Sequence, residues 1–387
     1  MLIPDAARQV VASSAVHLRE LADDLLGLLR PGLAGLARPG HFDPAPPPSP
    51  RRVLLVSCAY MGDGLWASQV VPALRARWPE ARLGVVTRAR ASGLWSAADE
   101  VLTVEHVVSD RRREPFSWAG FAAEAARAAR FEPDLAADLT GNRYTALFTF
   151  LTRPRWSLGF GGDELGRLYS RRVHPPEGCH LAERPWWVLE PALGPPPAPL
   201  VLAPPPGPNP ARAREAQGLD PRGPLAVLAP GSGWAGKCWP VERLAELGGR
   251  LEARGLQVTA LGGPGDLALC RAALRACRDG RLLLGLPLPT LAAIAGSARL
   301  FVGMDSGPTH LAAAAGAPTL ALFSSTNPGR SRPLGPRVRV LRAGCPHRPE
   351  GPAQDCHGRP AWPCPPSCWD DLPTDTVEAA ALELLGA

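Results

Sequence analysis

Short apolar runs alternate with amphipathic stretches along this chain, and the series occurs twice. In the first series VLLVS, beginning at Val53, is an apolar run of the kind buried in parallel sheets. The turn CAYMGDG follows, then a predicted helix over 65–78 whose buried stripe is Val70, Leu74 and Trp78. Strands are predicted over 82–87, 101–105 and 134–138, and helices over 116–130 and 144–152. From Leu225 the alternation restarts with the strand LAVLAPG, a helix over 241–254 that turns Leu244, Leu247 and Leu251 inward, and a strand over 256–261. A helix over 267–277, a strand over 281–284 and a helix over 289–298 come next. The stretch LFVGMDSGPTHLAAAAGA, Leu300 to Ala317, closes the series as a buried strand, a polar turn and a small-residue helix. Such alternation predicts an α/β fold: two facing Rossmann-like domains with parallel sheets and helices on both faces.

Ten of the twenty residues from Pro191 to Pro210 are proline, which marks 191–210 as the linker between a first domain, 51–190, and a second domain, 211–370. A helix over 371–387 follows. Residues 1–50 are an N-terminal helical extension, with Leu18, Leu21, Leu25 and Leu28 on one face, ending in the spacer PAPPPSP. In parallel sheets of this kind ligands bind beyond the carboxyl ends of the strands. Asp63 lies there in the first domain, between Gly62 and Gly64, where it suits either chemistry or a helix cap.

In the second domain three glycine-containing loops follow strands. GSGWAGKC, starting at Gly231 and including Ser232, carries Lys237; GGPGD carries Asp266; MDSGPTH leads into a helix at Pro308. A helix N-terminus aims unpaired N–H groups and a positive dipole at whatever lies over it, which suits phosphate. Asp305, Ser306, Gly307, Thr309 and His310 crowd that opening, although Asp305 and Ser306 are equally residues that cap helices.

Composition sharpens this in one place. Of 42 basic residues 41 are Arg, so Lys237 is a single exception to a strong drift. A compact ammonium is not equivalent to a planar guanidinium where a phosphate enters a confined loop. The net charge of +6 is scattered apart from a short run at Arg111–Arg113, with no basic-aromatic interleaving, which speaks against nucleic acid. It is compatible with anionic small molecules or peripheral contact with an anionic membrane. No secretory signal or spanning stretch is evident, and the odd count of nine cysteines points to a reducing cytoplasm.

Four segments together resemble glycosyltransferase family nine, the heptosyltransferases of the lipopolysaccharide inner core. They are VLLVSCAYMGDGLWASQVVPALRARWP, DLAADLTGNRYTALFTFLTRPRWSLGF, APGSGWAGKCWPVERLAELGGRLEARGLQVTALGGPGD and FVGMDSGPTHLAAAAGAPTLALF, spread over 51–370. The Lys-x-Trp-Pro and Asp-Ser-Gly-Pro-x-His elements are specific in combination. The resemblance implies a GT-B arrangement and an inverting, metal-independent sugar transfer from a nucleotide-diphosphate sugar, ADP-heptose being expected, to a glycan or glycolipid. It implies Asp63 as general base, Lys237 as the donor-phosphate lysine and Asp305 near the donor sugar. Ser306, Gly307 and Pro308 become the diphosphate turn, His310 its histidine, and Asp266 a ribose contact. A nucleotide-sugar epimerase on the same frame and a non-catalytic nucleotide-sugar-binding protein are the alternatives. The chain departs from the pattern in residues 1–50 and at Cys345, Cys356, Cys364 and Cys368, four soft ligands whose first two spacings do not match a zinc ribbon.

Overall fold

The structure, a computed structural model, describes residues 47–107, 116–161, 164–344 and 366–386. The N-terminal helical extension and the cysteines 345, 356 and 364 lie outside them. In the first domain β1 (Arg52–Ser57), β2 (Arg82–Arg88), β3 (Glu100–Val104), β4 (Leu135–Asp138), β5 (Trp156–Phe160) and β6 (Arg171–Val173) form a six-stranded sheet ordered β3-β2-β1-β4-β5-β6. In the second, β7 (Leu225–Ala229), β8 (Gln257–Gly262), β9 (Arg281–Leu284), β10 (Leu300–Met304), β11 (Thr319–Phe323) and β12 (Val338–Arg342) form another, ordered β12-β11-β10-β7-β8-β9. Every pairing in both is parallel, which is the expected pair of Rossmann-like domains.

The helices of the first domain are α1 (Met61–Ser68), α2 (Val71–Arg77), α3 (Trp118–Ala129), α4 (Arg143–Leu151) and α5 (Arg184–Leu193). Those of the second are α6 (Pro210–Glu215), α7 (Val241–Ala253), α8 (Leu267–Ala273), α9 (Leu288–Gly296), α10 (Gly307–Ala314), α11 (Pro328–Ser331) and α12 (Thr374–Leu385). Central strands β7, β10 and β11 are buried end to end, because helices cover both faces. Edge strands β6 and β12 carry Arg171, Arg172, Arg339 and Arg342 and stay partly exposed, which blunts edge-to-edge pairing with other chains. Because of those arginines the apolar pattern did not predict either strand.

Several boundaries differ from the pattern, among them the helix expected over 267–277, which ends at Ala273, and two of the differences have a visible cause. The helix expected over 65–78 starts at Met61 and is broken after Ser68. It starts early because Asp63 Oδ2 accepts the Tyr60 N–H at 3.2 Å. It breaks because Ser68 Oγ and Gln69 Nε2 donate to the Leu65 carbonyl, at 2.9 and 3.0 Å, in competition with the helical ladder. The second difference is α5, which runs through Pro191 and ends at Gly194, whose φ of +82° is left-handed. A proline in a last turn removes only a bond near the fraying end, so the spacer shortens to 194–209.

The domains touch. Gln69 clamps the spacer by donating to the Ala203 carbonyl at 3.1 Å and accepting the Ala203 N–H at 2.8 Å. One apolar cluster runs through both, with Leu65, Trp66 and Leu94 of the first joined to Leu288, Leu291 and Leu311 of the second. Phe301 in β10 is fully buried. Phe301→Ala should cost about 3–5 kcal/mol of stability, whereas exposed Leu267→Ala should cost under about 0.5 kcal/mol; urea unfolding of the two variants checks the contrast.

Candidate active site

The half of the site that the second domain supplies is organised by Asp305, immediately after β10. Its Oδ2 accepts Lys237 Nζ at 2.8 Å and its Oδ1 lies 3.3 Å from His310 Nε2, with Asp305 and His310 only 7% and 3% exposed. Burial would raise the Asp305 carboxyl, but the His310 ring and the Lys237 ammonium outweigh it and hold the group well below the usual carboxylate range. The lysine loop is fastened on both sides. Ser232 Oγ donates to the Asp305 carbonyl and Ser324 Oγ to the Gly236 carbonyl, each at 3.0 Å.

α10 begins at Gly307 with Ser306 as an extended N-cap whose side chain makes no capping bond. The Ser306 hydroxyl instead lies 3.1 Å from Thr309 Oγ1. Asp305 is engaged with Lys237 and His310. Neither residue therefore serves the helix as a cap, and the simpler reading of the turn fails. Asp266 Oδ2 accepts the Gly263 N–H at 2.8 Å, which rigidifies the loop after β8.

Asp63 comes from the first domain, half-buried in the first turn of α1. Burial raises its carboxyl, opposed by the Tyr60 N–H and by His310 and Arg184 nearby. It reaches the half supplied by the second domain because the first turns of α1 and α10 meet through glycine. A Cβ on Gly62 would lie 3.3 Å from His310 Cδ2, and one on Gly307 would lie 2.5 Å from Met61 Cε. Trp66 sets its ring edge-on against His310, centroids 4.9 Å apart. His180 adds a second tie: Nδ1 accepts the Ala182 N–H at 3.1 Å, so Nε2 carries the proton and donates to the Arg332 carbonyl at 3.0 Å. Burial pushes this imidazole down to about 4, which keeps it neutral.

Between these walls lies a cleft of about 560 Å³ bordered by Asp63, Gly231, Ser232, Lys237, Asp266, Asp305, Ser306, Gly307, Pro308 and His310. Thr309 alone of the expected contacts is not on it. It is fully buried behind the turn, where a Cβ on Gly303 would lie 2.4 Å from its hydroxyl. Tyr60, Trp66, Arg90, Thr326 and Ser331 also border the cleft and were not expected. Tyr60 and Trp66 belong to a motif segment but resemble ordinary apolar positions, and Thr326 and Ser331 carry no signal in the pattern. Cys368 is buried with Trp369 and Leu372 against the second domain, and no cluster of metal-ligating side chains occurs among the described residues.

Comparison with known proteins supplies the class. The model of glycosyltransferase family 9 (heptosyltransferase) matches residues 125–358. The chain belongs to glycosyltransferase family 9. Lipopolysaccharide heptosyltransferase 3 of Escherichia coli K12 is 26% identical over 305 residues, covering 74% of this chain and 86% of that one. Among solved structures, E. coli ADP-heptose lps heptosyltransferase II covers 86% of this chain and 98% of its own at a TM-score of 0.69 and 20% identity. E. coli heptosyltransferase WaaC with ADP covers 86% and 99% at a TM-score of 0.66 and 21% identity. These two structures share the two-domain GT-B fold.

For a family 9 enzyme the buried Lys237–Asp305 pair should be costly to break. Lys237→Met leaves the Asp305 charge with only His310 and should lower stability by about 3–5 kcal/mol at pH 7, more than Lys237→Met with Asp305→Asn together; urea unfolding measures both. Because the folded carboxyl is depressed, its contribution is full above the unfolded value of about 3.9 and is lost as pH falls below that toward the folded one. The stability gap between wild type and Asp305→Asn should close over that acid range.

Proposed function

We propose that this enzyme moves a heptose from ADP-heptose to a hydroxyl of a glycan or glycolipid such as the lipopolysaccharide inner core, inverting the anomeric carbon without a metal cofactor. The observation that carries the reading is that Asp63, from one domain, borders the same cleft as the Lys237–Asp305 pair and the start of α10, from the other. The names of the relatives support the donor and acceptor classes. Membership of a transferase family takes the epimerase and the silent binder out of contention.

The sheet order supports one path for the donor. The base and ribose lie over the β8 exit at Gly262, Gly263 and Asp266, and the diphosphate over the β7 and β10 exits at Ser232, Lys237 and Gly307. Lys237 already binds Asp305, but an ammonium has three donors, and those remaining meet the phosphate. The acceptor oxygen attacks the anomeric carbon and its proton passes to Asp63. The bond from that carbon to the phosphate oxygen breaks, and its electron pair leaves with the diphosphate. Negative charge then grows where Lys237 and the α10 N-terminus stand fixed beforehand. Attack from one wall and departure toward the other is an in-line displacement, which inverts the carbon.

The enzyme has no helix among the described residues long and apolar enough to cross a membrane. Among the described cysteines, 179, 238, 270 and 277 are free thiols, which supports action in the reducing cytoplasm, with peripheral contact at the inner face of the membrane compatible with the positive charge.

Calorimetry with ADP, UDP, GDP and dTDP should show preference for ADP, abolished in Lys237→Ala; preference for another nucleotide moves the donor elsewhere. Asp63→Asn should bind ADP as wild type does and lose about 10²–10⁴-fold in turnover. Asp63 accepts a proton only when ionised, so the acid limb of the rate profile should sit above the usual carboxylate value and vanish in the variant. Wild-type turnover in Asp63→Asn removes the residue from this role.

A further inference from the structure

A second cavity, of about 350 Å³, opens in the first domain at the carboxyl ends of β4, β5 and β6 and is bordered by Asn142, Phe160, Tyr169, His174 and Arg184. Its wall is built with care for the Phe160 ring. Gly141 has a left-handed φ of +75°, and a Cβ there would lie 2.0 Å from Phe160 Cδ2. The Arg184 guanidinium, at the first residue of α5, stacks on that ring with its carbon 4.4 Å from the centroid.

Arg184 is half-buried, and among the described residues it makes no hydrogen bond and no ion pair. Burial lowers its basicity; Cys179 and Asp63 partly offset this, and the like charge of Arg330, on α11 of the facing domain, adds to it. A partly desolvated guanidinium with no ion pair is an unfavourable arrangement unless an anion joins it. Stacking occupies the flat face of the guanidinium and leaves its N–H edge, a fork that fits a carboxylate or phosphate with two parallel bonds. Leu181, in the turn that leads into Arg184, borders the larger cleft together with Asp63, so the two cavities are neighbours, and the Arg184 charge acts on Asp63 without pairing with it.

Resting on the transferase reading above, we propose that this cavity is an acceptor subsite for an anionic substituent, carboxylate or phosphate, on or next to the sugar that receives the heptose, and that Arg184 holds it. Specificity for an acidic acceptor then resides in Arg184, apart from the donor machinery.

The test uses full-length enzyme, ADP-heptose and a deacylated core oligosaccharide in three forms: native, dephosphorylated and carboxyl-reduced. Arg184→Gln should raise the acceptor KM about ten- to a hundredfold on the native form, as expected for loss of a charge-assisted pair, with a much smaller change in kcat and with ADP affinity within about twofold of wild type. Arg184→Lys should recover part of the loss. One of the two treated acceptors should cost the wild type the same factor while leaving Arg184→Gln indifferent, and the treatment that does so identifies the anion. An unchanged KM in Arg184→Gln, an equal loss on all three acceptors, or wild-type indifference to both treatments overturns the proposal. A second arm does not need turnover: with ADP saturating the donor half, inorganic phosphate or glucuronate should raise the melting temperature of wild type and not of Arg184→Gln, and an equal response of both overturns it. Absence of wild-type transfer to any of the oligosaccharides counts against the transferase reading, and the melting experiment still decides Arg184.

Discussion

A carboxylate shut away from water must be matched by positive charge or hydrogen bonds, and at Asp305 the match comes from two directions at once. Lys237 arrives from the loop after β7 and His310 from the first turn of α10. Each of these fixes something further. The lysine fixes its loop, which Ser232 and Ser324 then stitch to the exits of β10 and β11. The histidine ring becomes the surface against which Trp66 of the other domain packs. Removal of the charge at Asp305 would therefore loosen both the phosphate end of the cleft and the contact that holds the domains in register.

That contact has a steric condition of its own. Two helix N-termini, α1 and α10, meet at a separation that leaves no room for a Cβ on Gly307 and only a tight fit for one on Gly62. Side chains there would push Asp63 away from the diphosphate turn. Both dipoles also converge on the cleft, so a dianionic donor is attracted by the backbone of each domain as well as by Lys237. The contact between the domains and the positive potential over the cleft share one geometric cause.

The cleft was legible in the sequence where chemistry is local. Lys237 was conspicuous as the single lysine, and Asp63, Asp266 and Asp305–Pro308 sit in loops directly after apolar runs, where strand periodicity stops and small polar residues begin. The architecture was legible for the same reason, since strands buried on both faces must be continuously apolar. What failed was information held between distant segments. Thr309 looked equivalent to Ser306, yet helix geometry turns it toward Gly303 and the core. Arg184 is one arginine among 41, and nothing in its neighbours indicates that it stacks on Phe160 without an ionic partner. Strands β6 and β12 hide because edge strands need charge, and Pro191 misplaces the linker because a last helical turn tolerates it.

Two aspartates border one cleft, and their surroundings drive them in opposite directions. Asp305 is held ionised by Lys237 and His310, and a carboxylate so stabilised gives up little on keeping its charge and gains little on taking a proton. It is a poor base for that reason and a good anchor. Asp63 has the backbone N–H groups of Tyr60 and of Asp63 itself and more distant cations, too little to offset its burial, so its carboxylate is the more basic of the two. Proton transfer in a transition state favours the group whose affinity for the proton lies nearer the working pH. The contrast between the domains thus follows from desolvation and charge: the carboxylate with paired cations orders the loops of the second domain, and the carboxylate without them is the one left able to take a proton.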